Sequence, residues 1–135
     1  AEKDKTYPDT PSGMPGVQTL VTILLDHVNS GRLSLERFVD LTSSGAARIF
    51  GIAGKGRIAL GFDADFTVID LKAKRKIENS WIASKCGWTP FDGMETTGWA
   101  VAAIIRGTVV MRDRALVMPS QGKPIRFHET LAPTP

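Results

Sequence analysis

Two histidines, one cysteine and a scatter of carboxylates are the side chains of this 135-residue chain best suited to chemistry. His27 and His128 stand far apart, and neither has a second donor three or four residues away, the spacing by which a helix offers two ligands to one metal. Each reads as a packed or surface histidine. Cys86 stands beside Lys85, whose charge could lower the thiol pKa. A nucleophile also needs a base, and no histidine is near in sequence, so Cys86 reads as inert. Asp63 and Asp65, at i and i+2, could open a calcium loop, but Phe66-Thr67-Val68 supplies no further oxygens. Asp65 is expected instead to be a turn residue bonding its own backbone. Lys72-Ala73-Lys74-Arg75-Lys76 could meet nucleic acid, and Trp81, Trp88, Phe91 and Trp99 could stack on bases. A solvated turn between two strands and core packing are the commoner uses of such residues.

One segment has a plausible ligand role: Pro11-Ser12-Gly13-Met14-Pro15-Gly16. Gly13 and Gly16 let backbone approach a ligand closely. A helix beginning near Val17 would offer free N–H groups and the positive end of its dipole, suited to a carboxylate or a ring carbonyl oxygen. On the residues alone, a plain loop capping a helix is the simpler account.

The elements that must position these residues follow from periodicity. Val17, Leu20, Val21, Leu24, Leu25 and Val28 form an apolar stripe of helical period, which predicts a helix over 17–28, stopped by Asn29-Ser30-Gly31. Ser34 should cap a short second helix over 35–41, and Ser43 or Ser44 a third that ends at Gly51. Beyond Gly54, Gly56 and Gly61 the pattern turns to strands. These are expected over 66–70, 76–78, 99–106, 109–112 and 115–118, with an irregular aromatic stretch over 81–98. The strand over 99–106 is apolar on both faces and should be buried. Asp113-Arg114 should form a longer or different hairpin turn, because Arg114 would resist a positive φ. Residues 132–135 are expected to fray.

Composition sets limits. A chain of this length suggests one domain with a real core, and 42% apolar with 23% charged residues is ordinary globular usage. A net charge of +3 is too weak to argue for nucleic acid or anionic lipid. The longest apolar run, Trp99 to Ile105, is seven residues, against the roughly 20 that a membrane-spanning helix needs. One cysteine makes no internal disulfide, which fits a reducing cytoplasm.

Taken in order, several stretches resemble the C-terminal third of the dihydroorotases, within the cyclic amidohydrolases that also include hydantoinases and allantoinases. They are Glu2-Lys3, Pro11 to Gly16, Thr42 to Gly51, Gly56-Arg57-Ile58, Gly61-Phe62-Asp63-Ala64-Asp65, Thr89-Pro90-Phe91-Asp92-Gly93, and Ile105-Arg106-Gly107 with Val109-Val110. The resemblance runs from Glu2 to about Phe127. It implies an α/β fold in which residues 1–51 supply a loop and terminal helices of a (β/α)8 barrel, and residues 52–135 the C-terminal strands of a composite β-sandwich.

Enzymes of this kind use a binuclear zinc site at the barrel mouth, where a metal-bound hydroxide attacks a ring amide and an aspartate shuttles the proton. Such a site takes about four histidines. With two, and with neither His-x-His nor Asp-His-Ala-Pro-His, the chain is expected to hold no metal and no catalytic residue. The resemblance places its first residue just after the catalytic aspartate. In similar dihydroorotases the two residues after the loop proline contact substrate, which here are Ser12 and Gly13.

The implied activity is reversible hydrolysis of L-dihydroorotate to N-carbamoyl-L-aspartate in pyrimidine synthesis, by a zinc enzyme of which this chain is an inactive piece. The alternatives are a hydantoinase or allantoinase, and an inactive dihydroorotase homologue that scaffolds aspartate transcarbamoylase. A small binding module working alone is a further possibility, opposed by the loop-first start. A small cyclic amide is the expected substrate, with no nucleic acid or membrane partner. Self-association, or association with an N-terminal part, is expected because sandwich edges and the helix stripe would otherwise lie open.

Overall fold

The computed structural model describes residues 3–118 and 122–128. Among the described residues three α-helices precede four strands: α1 (Leu20–Asn29), α2 (Leu35–Val39), α3 (Gly45–Ile49), β1 (Phe66–Lys76), β2 (Glu95–Ile105), β3 (Thr108–Arg112) and β4 (Ala115–Leu116). The strands form one antiparallel sheet in chain order.

Helices α2 and α3 are not separate. A π-helical turn, Asp40–Ser44, joins them into one path from Leu35 to Ile49. Ser34 caps the start as expected, its side chain accepting from Arg37 N–H at 3.1 Å. Ser44 caps nothing; its hydroxyl meets Asp40 Oδ1 at 3.3 Å. The wide turn forms because Gly45 N–H reaches back to the Asp40 carbonyl, and a Cβ on Gly45 would lie only 2.5 Å from that oxygen. Gly51, at φ +59°, ends the path, with Ile52 N–H on Ala47 O at 2.8 Å.

Strand β1 overturns the expected basic turn at Lys72–Lys76. The strand runs through it, pairing Asp70 with Trp99 and then Lys74 with Thr97. The surplus residues form a bulge, in which Asp70 Oδ1 accepts from Lys72 N–H at 2.8 Å and Ala73 N–H at 3.2 Å. Strand β2 likewise begins at Glu95, inside the stretch expected to be irregular.

Both hairpin turns have two residues at positive φ, the geometry that matches strand twist. Arg106-Gly107 joins β2 to β3 (φ +45° and +79°), and Asp113-Arg114 joins β3 to β4 (φ +47° and +73°). The second corrects the expectation that Arg114 would avoid this conformation. Its guanidinium lies 5.2 Å from the Trp81 ring centre and 5.4 Å from that of Trp99, and these cation–π contacts offset the backbone strain.

Helix α1 also differs from its stripe. It begins at Leu20 rather than Val17, and of the stripe residues only Leu25 is buried; Thr19 and Thr22 are buried beside it. Strand β3 pairs with β2 only over Ala102–Ile105, so the first half of β2 has an open side. Helix α1 lies there and satisfies the backbone. Thr22 Oγ1 donates to Gly98 O (2.7 Å), Asp26 Oδ1 accepts from Thr97 N–H (2.9 Å), and Asn29 Nδ2 donates to Thr97 O (2.9 Å). Hydrogen-bond demand thus turns the polar face inward. The apolar core is Leu25, Phe38, Ala53, Ile77 and Trp99, with Trp81 tilted against Trp99 at 4.9 Å.

Candidate functional site

The Pro11–Gly16 loop leads into the turn that precedes α1. Ser12 and Gly13 are both exposed, and Gly13 has φ +86°, a conformation that favours glycine. The Lys3 ammonium donates to Pro11 O and, at 2.7 Å, to Gly13 O. At the exit, Gly16 O accepts from Leu20 N–H (2.9 Å) and Thr19 Oγ1 (3.3 Å). The loop is therefore fixed at both ends, with its two candidate residues facing solvent between them.

Gln18, in the turn just before α1, was not legible as a site residue. Its amide donates to Trp81 O at 2.8 Å and accepts from Ala83 N–H at 2.9 Å, pinning the base of the loop to a segment over 60 positions away. That segment is itself closed. Asn79 N–H donates to Asp92 Oδ1 (2.7 Å), Thr89 N–H to Asn79 Oδ1 (2.8 Å), and Gly93 N–H to Ile77 O (2.9 Å). No local signal in the sequence marks this pairing; a single glutamine near a helix start looks like surface.

Of the other candidates, Trp81 reaches the base of this loop through Gln18, while Cys86, Asp63 and Asp65 have partners of their own. Cys86 is exposed, and its thiol pKa is lowered first by the Ser84 hydroxyl (3.2 Å) and then by the Trp88 backbone. Lys85 is not among the causes, so the expected source of activation is wrong. Asp63 and Asp65 hold Lys55 between them, Asp63 Oδ2 at 2.9 Å, and Asp65 Oδ1 accepts from Arg106 N–H at 2.8 Å. The Asp65 side chain thus bonds a distant hairpin turn and a lysine, not its own local backbone. Burial pushes the Asp65 carboxyl up, but Lys55 and the Arg106 N–H outweigh it and hold the pKa below the ordinary value. Lys55 is raised, first by Asp65 and then by Asp63.

His27 Nδ1 is buried without a hydrogen-bond partner, and His128 N–H donates to Gly51 O at 2.8 Å. Among the described residues no three His, Cys, Asp or Glu side chains converge as metal donors. The donors present do not fit a binuclear zinc centre.

Residues 13–110 match the amidohydrolase family. The chain belongs to the amidohydrolase family. It is 46% identical over 112 residues to a dihydroorotase of Methanothermobacter thermautotrophicus, covering 83% of this chain and 26% of that one. It is 39% identical over 114 residues to a dihydroorotase of Pyrococcus furiosus, covering 84% and 27%. Among solved structures it resembles the L-hydantoinase (dihydropyrimidinase) of Arthrobacter aurescens, with a TM-score of 0.78 at 38% identity over 82% of this chain and 25% of that one. The chain spans about a quarter of the length of these amidohydrolase relatives. Gly13 is the first residue of the matched span, and Ser12 lies just before it.

Proposed function

We propose that the chain is the C-terminal part of a dihydroorotase, a hydrolase of cyclic amides that opens L-dihydroorotate reversibly to N-carbamoyl-L-aspartate in pyrimidine synthesis. The observation that carries this is the 46% identity to a protein named dihydroorotase, above the 38% to the hydantoinase structure. In this reading residues 1–51 belong to a (β/α)8 barrel and residues 52–135 to a β-sandwich. The zinc ligands and the proton-shuttling aspartate come from the part of the enzyme beyond this segment, since the donors here do not fit that centre. The enzyme is proposed to work in the cytoplasm; no helix among the described residues is long and apolar enough to cross a membrane.

Ser12 and Gly13 line the substrate pocket in this proposal. Their exposure, the positive φ of Gly13 and the fixed ends of the loop support it. Hydantoinase activity is the second reading, favoured by the fold neighbours. The test is the full-length protein assayed with dihydroorotate, hydantoin and dihydrouracil. Turnover of dihydroorotate is expected; opening of hydantoin with dihydroorotate untouched replaces the first reading by the second. Gly13→Val should raise KM for dihydroorotate by about tenfold or more, through backbone strain and lost close approach. Unchanged KM and kcat would remove Gly13 from the pocket.

A further inference from the structure

Lys3 does more than anchor the loop. One ammonium takes two carbonyls, Pro11 O and Gly13 O, from either side of Ser12. The only cis peptide bond among the described residues is Tyr7-Pro8, so the Pro11–Ser12 and Gly13–Met14 peptides are trans. In a trans peptide the C=O and N–H point in opposite directions. Drawing both carbonyls onto Lys3 therefore turns the Ser12 and Met14 N–H groups to the other side of the loop. Neither N–H donates to any described residue.

We propose that Lys3 is a positioning residue for the substrate loop. It holds Ser12 and Met14 N–H outward as a pair of donors to an oxygen of the anionic ring substrate. The same contact polarises both peptides, since a carbonyl bonded to a cation leaves its amide a stronger donor. The proposal rests on the reading that this loop lines the pocket. It adds a residue that touches no substrate, and it assigns the donors to the backbone rather than to the Ser12 hydroxyl.

The test uses the full-length protein with Lys3→Met, Lys3→Arg and, in parallel, Gly13→Val, reading KM and kcat separately. Lys3→Met should raise KM about tenfold, as for a lost charge-assisted contact, with kcat within about threefold. Lys3→Arg, which keeps a cation with several donors, should restore KM to within about threefold. If Lys3→Met does not accumulate folded, Lys3→Gln, a neutral donor, carries the same comparison and should fall between the two. Wild-type KM in Lys3→Met beside a raised KM in Gly13→Val overturns the Lys3 proposal and leaves the pocket reading standing. A loss confined to kcat, or failure of Lys3→Arg to restore KM, also overturns it. Wild-type KM in both Lys3→Met and Gly13→Val overturns the pocket reading and this proposal together.

Discussion

Lys55 is gripped by Asp63 and Asp65, and Asp65 reaches on to Arg106 N–H in the β2–β3 turn. This small network closes the glycine-rich passage over 54–65 onto the sheet. Its pH dependence follows from the direction of each shift. Asp65 is held below its ordinary 3.8, so its contribution is present above that value and lost as pH falls through the lowered one. Lys55 is raised above 10.5, so its contribution is present below that value and lost as pH rises through the raised one. Asp65→Asn keeps an oxygen for Arg106 but loses the charge. It should destabilise the chain at pH 7 by about 1 kcal/mol or less, because the groups are partly solvated. The loss should vanish at acid pH, where wild type and variant converge. Urea midpoints across pH 2–7 check this; a pH-independent difference would mean that the charge contributes nothing.

At the scale of elements, the contact between α1 and β2 decides how the chain packs. Gly98 sits at φ +103°, and a Cβ there would lie 2.6 Å from Leu25 Cβ. Gly98→Ala should therefore push α1 off the Thr97–Gly98 backbone and leave buried groups unpaired, destabilising by about 2–4 kcal/mol. A urea midpoint unchanged from wild type would show that the helix does not dock so closely. The same contact shows what could be read in the sequence. Local chemistry was legible: Ser34 as a cap and Gly51 as a stop. The loop over 11–16 stood out through its glycines and prolines. What escaped depends on distant partners. The apolar stripe of α1 did not show which face would dock, because the open side of β2 demands hydrogen bonds from Thr22, Asp26 and Asn29. Arg114 was misread because Trp81 and Trp99 cannot be seen beside it in sequence. Gln18 was missed because its partners, Trp81 and Ala83, lie in a separate segment.

At the scale of the whole molecule, α1 and the turn before it leave apolar side chains in water. Val17 is 96% exposed and Leu20 52%, and Ile49, Phe50, Ile58 and Leu60 are exposed as well. Strand β1 is an edge, with Phe66, Val68 and Leu71 exposed along it. Burying each such side chain fully stabilises by about 1.5–3 kcal/mol. Association opposes this with roughly 4–15 kcal/mol of lost freedom. Six or more side chains covered together bring a micromolar complex, about −8 kcal/mol, within reach. The edge adds backbone groups that another strand can pair, although Lys72, Lys74 and Lys76 along it oppose a like-charged copy. The purified 135-residue chain is therefore expected to form a dimer or larger assembly at micromolar concentration. A separately supplied N-terminal part of the proposed enzyme should compete for the same surface and dissolve the self-assembly. Sedimentation velocity with and without that part, followed by binding of an apolar dye, checks both steps. A single 14.6 kDa species with no dye binding would mean that these side chains are covered within one chain, contrary to their exposure here.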